Sequence, residues 1–466
     1  MIQNKQSAKD VAINLGKQRS YNEIIELLEK SWNIEPDKSL KRIEKLNVAL
    51  KSPSKKLNTI FVSGSNGKSL TVNFVNQILK EEGFKVGSFY SPHILTYNER
   101  IALENESLPN KLFTEVANEV LNAAESLNSK FHTLELLTMM ALVCFEKNKV
   151  DVAVLELNND DVTDPVNVCK PLILAITRIT SDMEKINSEE IKNRISAITD
   201  ITKKDTYVVS ADQSKINLQI MQDLVTEKSG NWMMPIRKLA PLAYPFEQLH
   251  GRCASLAERI AQIYVENFTS KEATILNSSL LVKPESQRGR PTLEKKRELE
   301  LNPRRTLEQF WKDISTTLTG QFQILDKEKP SILLDVASNI DSLSNIFLGV
   351  RLLNYKRPFK GLSVIVGCQD SNFNDNPDFI KMVRYFFKKN SGQIIFSPVN
   401  KDSKFDLEKV TNDLKNAKIK AKSAKNFAEA FEQAKQSVDE RNGLILITGS
   451  PAIVSEYWNY KGIKKL

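Results

Sequence analysis

The amino-acid sequence predicts an α/β protein in two domains: a larger one around a central parallel sheet, and a smaller, doubly wound C-terminal one. Three observations predict it. Short β-branched runs alternate with helical stretches along most of the 466 residues, which implies parallel strands covered on both faces. That alternation breaks once, at 283–305 (KPESQRGRPTLEKKRELELNPRR), where three prolines and many charges leave few apolar residues. A glycine-rich turn, Val62–Leu70 (VSGSNGKSL), joins the first strand to a helix.

The elements follow in order. YNEIIELLEKSW (21–32) and SLKRIEKLNVALKS (39–52) repeat apolar residues at three- and four-residue spacing, the period of a helix. The period then changes. NTIFVSG (58–64) reads as a strand, followed by a helix from Ser69 to about Glu82 that Gly83 stops. KVGSFYS (85–91), VDVAVLEL (150–157), LILAITRI (172–179) and TYVVS (206–210) read as further strands, with helices between most of them. After the charged segment the alternation restarts at SILLDVAS (331–338), LSVIVGC (362–368), QIIFSPV (393–399) and LILITGS (444–450). These place the domains at 1–285, including the N-terminal helices, and 316–466, with 286–315 as an exposed charged linker.

Composition excludes several classes. Apolar residues at 41% and charged residues at 26% exclude a disordered, collagen-like or coiled-coil chain. The net charge of +9, from 66 basic and 57 acidic residues, suits anionic small ligands. Nucleic acid is not expected as a partner. The basic runs KSPSKK, QRGRPTLEKKR and KIKAKSAK are interleaved with acids or lack aromatic residues to stack on bases. Cys144, Cys169, Cys253 and Cys368 lie far apart, so neither disulfides nor a thiolate metal site is expected. The first twenty residues lack an apolar signal core, and the densest apolar run, Leu136–Phe145, is too short to span a membrane. A soluble, cytoplasmic monomer is the expectation.

The turn after the first strand carries chemistry. Gly64 to Ser69 is a short G-x-x-G-K-S loop; Val62 stands where the longer form has glycine. Backbone N–H groups and a helix N-terminus at such a turn face a phosphate. Lys68 supplies mobile positive charge, and the Ser69 hydroxyl is placed to reach Mg²⁺.

Beyond this loop the chain resembles the folylpolyglutamate synthase/dihydrofolate synthase branch of the Mur ligase superfamily. The resemblance runs colinearly over roughly residues 20–460. The family's G-T-N-G-K-G-[ST] loop falls on Gly64-Ser65-Asn66-Gly67-Lys68-Ser69-Leu70, and its S-P-H-L…E-R-I on Ser91-Pro92-His93-Ile94 and Glu99-Arg100-Ile101. Its E-x-G-L-G-G-R-x-D-A-T-N aligns on Glu156 to Asn167, keeping Glu156, Asp164 and Asn167. Its D-G-A-H-N falls on Asp335 to Asn339, its G-R-F-Q on Gly320 to Gln323, and its T-G-S on Thr448-Gly449-Ser450.

The resemblance implies a P-loop ATPase-type central domain, a Mur-ligase-like C-terminal domain and ATP-dependent amide ligation. ATP and Mg²⁺ are the implied cofactors; a folate-type carboxylate and glutamate are the implied substrates. It implies that Gly64, Ser65, Asn66, Gly67, Lys68, Ser69 and Asn339 bind ATP and that Lys68 and Asp335 serve catalysis. Ser91 and Glu156 would hold the metal, with His93, Asp164 and Asp182 as further candidates. The sequence also departs from the pattern. The family's metal-binding histidine is Met183, its carbamylated lysine aligns loosely with Ile195, and the D-G-A-H-N histidine is Ser338. Gln321 replaces an arginine, and the H-Q-x-x-N expected near 247–251 reads EQLHG. Asn158, Asp160, Asp161 and Val162 replace three glycines and an arginine, which puts two acids beside the phosphate loop. Those acids repel nucleotide unless they bind metal or point away. Two readings accommodate these departures. One is a divergent ligase using one metal, with Asp160, Asp161 or Asp182 substituting for lost ligands. The other is a non-catalytic member that binds nucleotide weakly or serves as an interaction protein. In both, Met183, Ile195 and Ser338 are expected to line the cleft between the domains.

Overall fold

Helix α1 (Tyr21–Ser31) opens the chain that a computed structural model describes over residues 16–180, 188–234, 236, 239–243, 246–278, 305–314, 318–368, 377–399 and 406–465. It starts where it does because Ser20 and Glu23 cap each other: the Ser20 N–H donates to the Glu23 carboxylate at 2.7 Å. Helix α2 (Lys41–Ala49) follows.

Eight strands make the first sheet: β1 (Thr59–Ser63), β2 (Val86–Phe89), β3 (Ile101–Leu103), β4 (Glu106–Ser107), β5 (Val152–Glu156), β6 (Ile173–Ile176), β7 (Tyr207–Ser210) and β8 (Asn231–Trp232). They lie in the order β4-β3-β2-β5-β1-β6-β7-β8. The six from β2 to β8 in that row run parallel, while β3 and β4 form an antiparallel edge that the sequence reading lacks. Every strand read from the sequence is present. The helices of this half are α3 (Lys68–Glu81), α4 (Asn110–Ser126), α5 (Thr133–Lys147), α6 (Ser188–Thr199), α7 (Lys215–Glu227) and α8 (Phe246–Phe268). Alternate side chains of the buried strands enter opposite layers. Phe61, Leu174 and Ile176 join the core under α4, α5 and α6, whereas Ile60, Val62, Ile173 and Ala175 join the core under α3 and α8.

Most of the expected linker, 286–304 and 315, lies outside the described residues. Its remaining part, 305–314, keeps its polar face exposed and packs its apolar face inward. Helix α9 (Leu307–Asp313) buries Leu307, Phe310 and Trp311 in the core of the first sheet, with the Trp311 ring edge-on to Phe74 at 5.3 Å. The apolar face of this one helix outweighs the charge of its surroundings.

The second sheet holds β9 (Gln323–Leu325), β10 (Ser331–Leu334), β11 (Leu362–Val366), β12 (Gln393–Phe396), β13 (Ala421–Ser423) and β14 (Leu444–Thr448), in the order β13-β12-β11-β14-β10-β9. All pairs are parallel except β9 with β10. Helices α10 (Ile340–Lys356), α11 (Pro377–Lys389), α12 (Leu407–Asn416), α13 (Phe427–Gln436) and α14 (Pro451–Tyr460) cover its two faces. Among the described residues no helix is long and apolar enough to cross a membrane.

Candidate functional site

In the first sheet the chain leaves β1 toward β2 on one side and later returns to β6 on the other. The carboxyl end of β1 is therefore a topological switch point, where open α/β sheets form a crevice. The loop Gly64–Ser69 sits there. Gly64 has φ +122°, and a methyl group on it would fall 2.3 Å from the Thr177 hydroxyl, so only glycine fits. The Ser65 N–H donates to the Arg178 carbonyl at 2.7 Å and fixes the loop against the end of β6. Gly67, at φ +87°, caps α3 without any side chain and leaves its first N–H groups facing outward. The helix starts at Lys68, one residue before the expected position.

Parallel register brings the next groups alongside. Glu156 ends β5 opposite Val62, and Phe89 near the end of β2 lies opposite Leu155. Ser91 and Glu156 thus meet, the Ser91 N–H donating to Glu156 Oε2 at 3.3 Å. The Glu156 carboxyl is almost wholly buried, and burial pushes it up to about 7 against the opposing pull of Lys68 and the Ser69 hydroxyl. The Ser91 hydroxyl donates to Asn158 Oδ1 at 2.8 Å and accepts from Arg100 Nη1 at 3.1 Å, which leaves one lone pair free. Ser69, Ser91 and Glu156 are all hard oxygen donors, a set that fits Mg²⁺. Among the described residues no three His, Cys, Asp or Glu side chains converge as a metal cluster.

The two acids part company. Asp161 turns away, accepting from the Thr163 N–H at 2.7 Å and the Thr163 hydroxyl at 2.6 Å. Asp160 turns in. Its carboxylate lies 3.2 Å from Lys68 Nζ, and Oδ1 accepts from the Gly64 N–H at 3.1 Å and the Ser63 hydroxyl at 2.9 Å.

The opposite wall belongs to the second sheet. Asp335 follows β10, is buried, and accepts from the Phe322 and Ala337 N–H groups, each at 2.8 Å. Burial pushes its carboxyl up to about 7. Asn339 caps α10, accepting from the Ser342 N–H at 2.9 Å, and its amide also donates to Asn66 Oδ1 at 2.9 Å. Asn66 Nδ2 donates to Asp341 Oδ2 at 2.9 Å, and Asp341 pairs with Arg178 at 2.8 Å. These contacts clasp the two domains across a cavity of about 510 Å³. Lys68, Ser91, Glu156, Asp335 and Ser338 line it.

Not every candidate reaches this cavity. His93 is neutral support: it accepts from Arg100 Nε at 2.9 Å, and burial with the Arg100 charge lowers it to about 3. Asp164 lies behind the loop after β5, accepting from the N–H groups of Asn158, Asn159 and Val166. Ile195 does not line the cleft. It is fully buried in the core, because α6 turns its apolar face toward the sheet. Asp182 and Met183 lie outside the described residues. Sequence reasoning placed Asn158 and Arg100 within the matched motifs but missed them as Ser91 partners, and it missed the Arg178–Asp341 pair.

A glycine-rich loop at a switch point, facing a second doubly wound domain across a cleft, defines a two-domain P-loop α/β protein. No family model matches the chain. It is 30% identical over 224 residues to a dihydrofolate synthase/folylpolyglutamate synthase of Bacillus subtilis, covering 47% of this chain and 49% of that protein. The chain thus matches about half the length of its curated relatives. The fold is shared throughout. Mycobacterium tuberculosis folylpolyglutamate synthase complexed with ADP superposes with a TM-score of 0.73 at 17% identity, over 95% of this chain and 98% of that one. The Yersinia pestis bifunctional folylpolyglutamate synthase/dihydrofolate synthase complexed with AMPPNP and Mn gives 0.71 at 18% identity, over 96% and 98%. Over about half its length the chain is similar in sequence to folylpolyglutamate synthase/dihydrofolate synthases, and it shares their fold.

Proposed function

We propose that this protein is an ATP-dependent acid–amino-acid ligase that adds glutamate to a folate-type carboxylate. The observation that carries the reading is one cavity shared by two walls: the Lys68 loop with Ser91 and Glu156, and Asp335 to Ser338 across from it. In the reaction a substrate carboxylate oxygen bonds to the γ-phosphorus of ATP while the bond to the ADP oxygen breaks. The glutamate nitrogen then attacks the acyl carbon of that acyl phosphate, phosphate leaves, and the nitrogen releases its extra proton.

Lys68 and the N–H groups at the start of α3 offset the negative charge of the phosphates. Ser91 and Glu156, with Ser69 beside them, would hold Mg²⁺, which when bound neutralises phosphate charge. Asn339 and Asp335 orient the nucleotide or the glutamate on the far wall, and the clasp through Asn66 holds the walls at working distance. The four cysteines are free thiols, which supports a reducing cytoplasm as the setting.

One observation favours a second reading, a member that binds nucleotide without ligating: Asp160 already engages Lys68. Phosphate release decides between them. With ATP, Mg²⁺ and L-glutamate, release should depend on both glutamate and a folate acceptor. Absence of release with every acceptor in a folate panel, beside measurable ADP binding, would establish the non-ligating reading instead.

A further inference from the structure

The cavity wall carries a cation that no acid among the described residues answers. Arg252 on α8 lines the cavity, and its Nη1 is shielded from solvent without a hydrogen-bond partner. Among the described residues its guanidinium enters no ion pair. The acids on the lining are engaged elsewhere: Asp341 pairs with Arg178, Asp335 accepts from two backbone N–H groups, and Glu156 lies with Lys68, Ser69 and Ser91. Burial first, and then the like charge of Arg178, pull its pKa below the ordinary arginine value. A shielded guanidinium N–H with no acceptor and a like charge acting on it is unfavourable by itself, and an anion relieves both costs.

The position says which anion. Arg252 precedes Cys253, and a methyl group on Gly67 would fall 2.7 Å from Cys253 Sγ. Helix α8 therefore crosses directly beside the glycine that caps α3, at the mouth of the phosphate loop. We infer that Arg252 is an anion-binding residue of this cavity whose guanidinium fork engages the polyphosphate of a nucleotide held by the Gly64–Ser69 loop. This rests on the ATP-binding part of the proposed function. A guanidinium matches phosphate oxygens two at a time, which a lysine at the same place does not. Arg252 accordingly favours nucleotides with two or three phosphates over the monophosphate. It falls one residue past 247–251, where the family's H-Q-x-x-N is not recognisable, so no motif marks it.

Isothermal titration of the full chain with ADP and with AMP, in Mg²⁺ buffer, tests this on the wild type, R252M, R252K and K68M. R252M is expected to weaken ADP about tenfold, the scale of one charge-assisted contact, and to change AMP by much less. R252K should fall between, since charge survives while the fork is lost. Its helix keeps a long side chain, so R252K reads out even if R252M folds poorly. ADP affinity of R252M and R252K equal to wild type overturns the inference, as does an equal loss for ADP and AMP. K68M separates the two readings. If K68M weakens ADP while the Arg252 variants do not, the phosphate loop stands and only Arg252 is misassigned; if K68M also has no effect, the phosphate-loop reading falls as well.

Discussion

Lys68 and Asp160 form an ion pair at 3.2 Å across two loops, with the lysine on the phosphate loop and the acid on the turn after β5. The same carboxylate accepts from the Gly64 N–H and the Ser63 hydroxyl. Asp160 thus takes, at the base of the loop, the kind of contacts that phosphate oxygens make there. On the proposed function, nucleotide entry has to displace it from Lys68.

The first prediction follows from that competition. D160N removes the charge but keeps the shape, so Lys68 becomes free for phosphate. The pair is partly exposed, which limits its worth to about 1 kcal/mol and the gain in ADP affinity to roughly fivefold. Titration of ADP without divalent metal isolates the effect, because no ion then recruits Asp160. Weaker or unchanged binding in D160N would mean that Asp160 does not compete.

Lys68 itself should matter through its charge. K68A or K68M is expected to weaken ATP binding at least about tenfold, or about 1.4 kcal/mol. Equal affinity in either variant would sink the phosphate-loop assignment.

Gly67 offers a stability test of the same turn. At φ +87° an alanine pays about 1–2 kcal/mol in backbone strain, and its methyl group meets Cys253 Sγ at 2.7 Å. The two costs separate in a double variant. G67A/C253A should recover the steric part in urea unfolding and still sit below C253A by the strain alone. Stabilities equal to wild type in G67A would show that the turn relaxes freely.

The strands legible in the sequence are the ones buried on both faces, such as β1 and β14, where every residue is buried. The edge strands β4, β8 and β13 are two or three residues long and partly exposed, so no apolar run marks them. Ser91 and Glu156 were singled out through the family resemblance; each follows or ends a buried strand, and parallel register sets them side by side. Asp160 was legible only as a nearby charge. Whether it points in or away depends on the turn that Asp164 ties down through the Asn158 and Asn159 N–H groups. Arg252 and Ile195 depend on how a helix is rotated about its axis, and loose alignment carries no information about that.

The last prediction concerns Asp335 and pH. Burial raises its carboxyl from an ordinary 3.8 to about 7 despite the two N–H groups it accepts. The folded state therefore holds the proton more tightly than the unfolded state does. Its contribution to stability is complete below the unfolded value near 3.8 and is lost progressively as pH rises through about 7. Without ligand, the wild type should lose urea stability between pH 5 and pH 8 more steeply than D335N, whose amide does not titrate in that range. The asparagine also keeps one oxygen for an N–H but places an NH₂ against the other, so D335N should be the less stable protein at pH 5. The gap between the two should narrow toward pH 8, because the unfolded carboxyl ionises while the buried one keeps its proton up to about 7, and this erodes the wild type alone. Parallel stability curves across this range would show that Asp335 is already ionised in the folded protein at pH 5, and that the paired N–H groups of Phe322 and Ala337 outweigh burial.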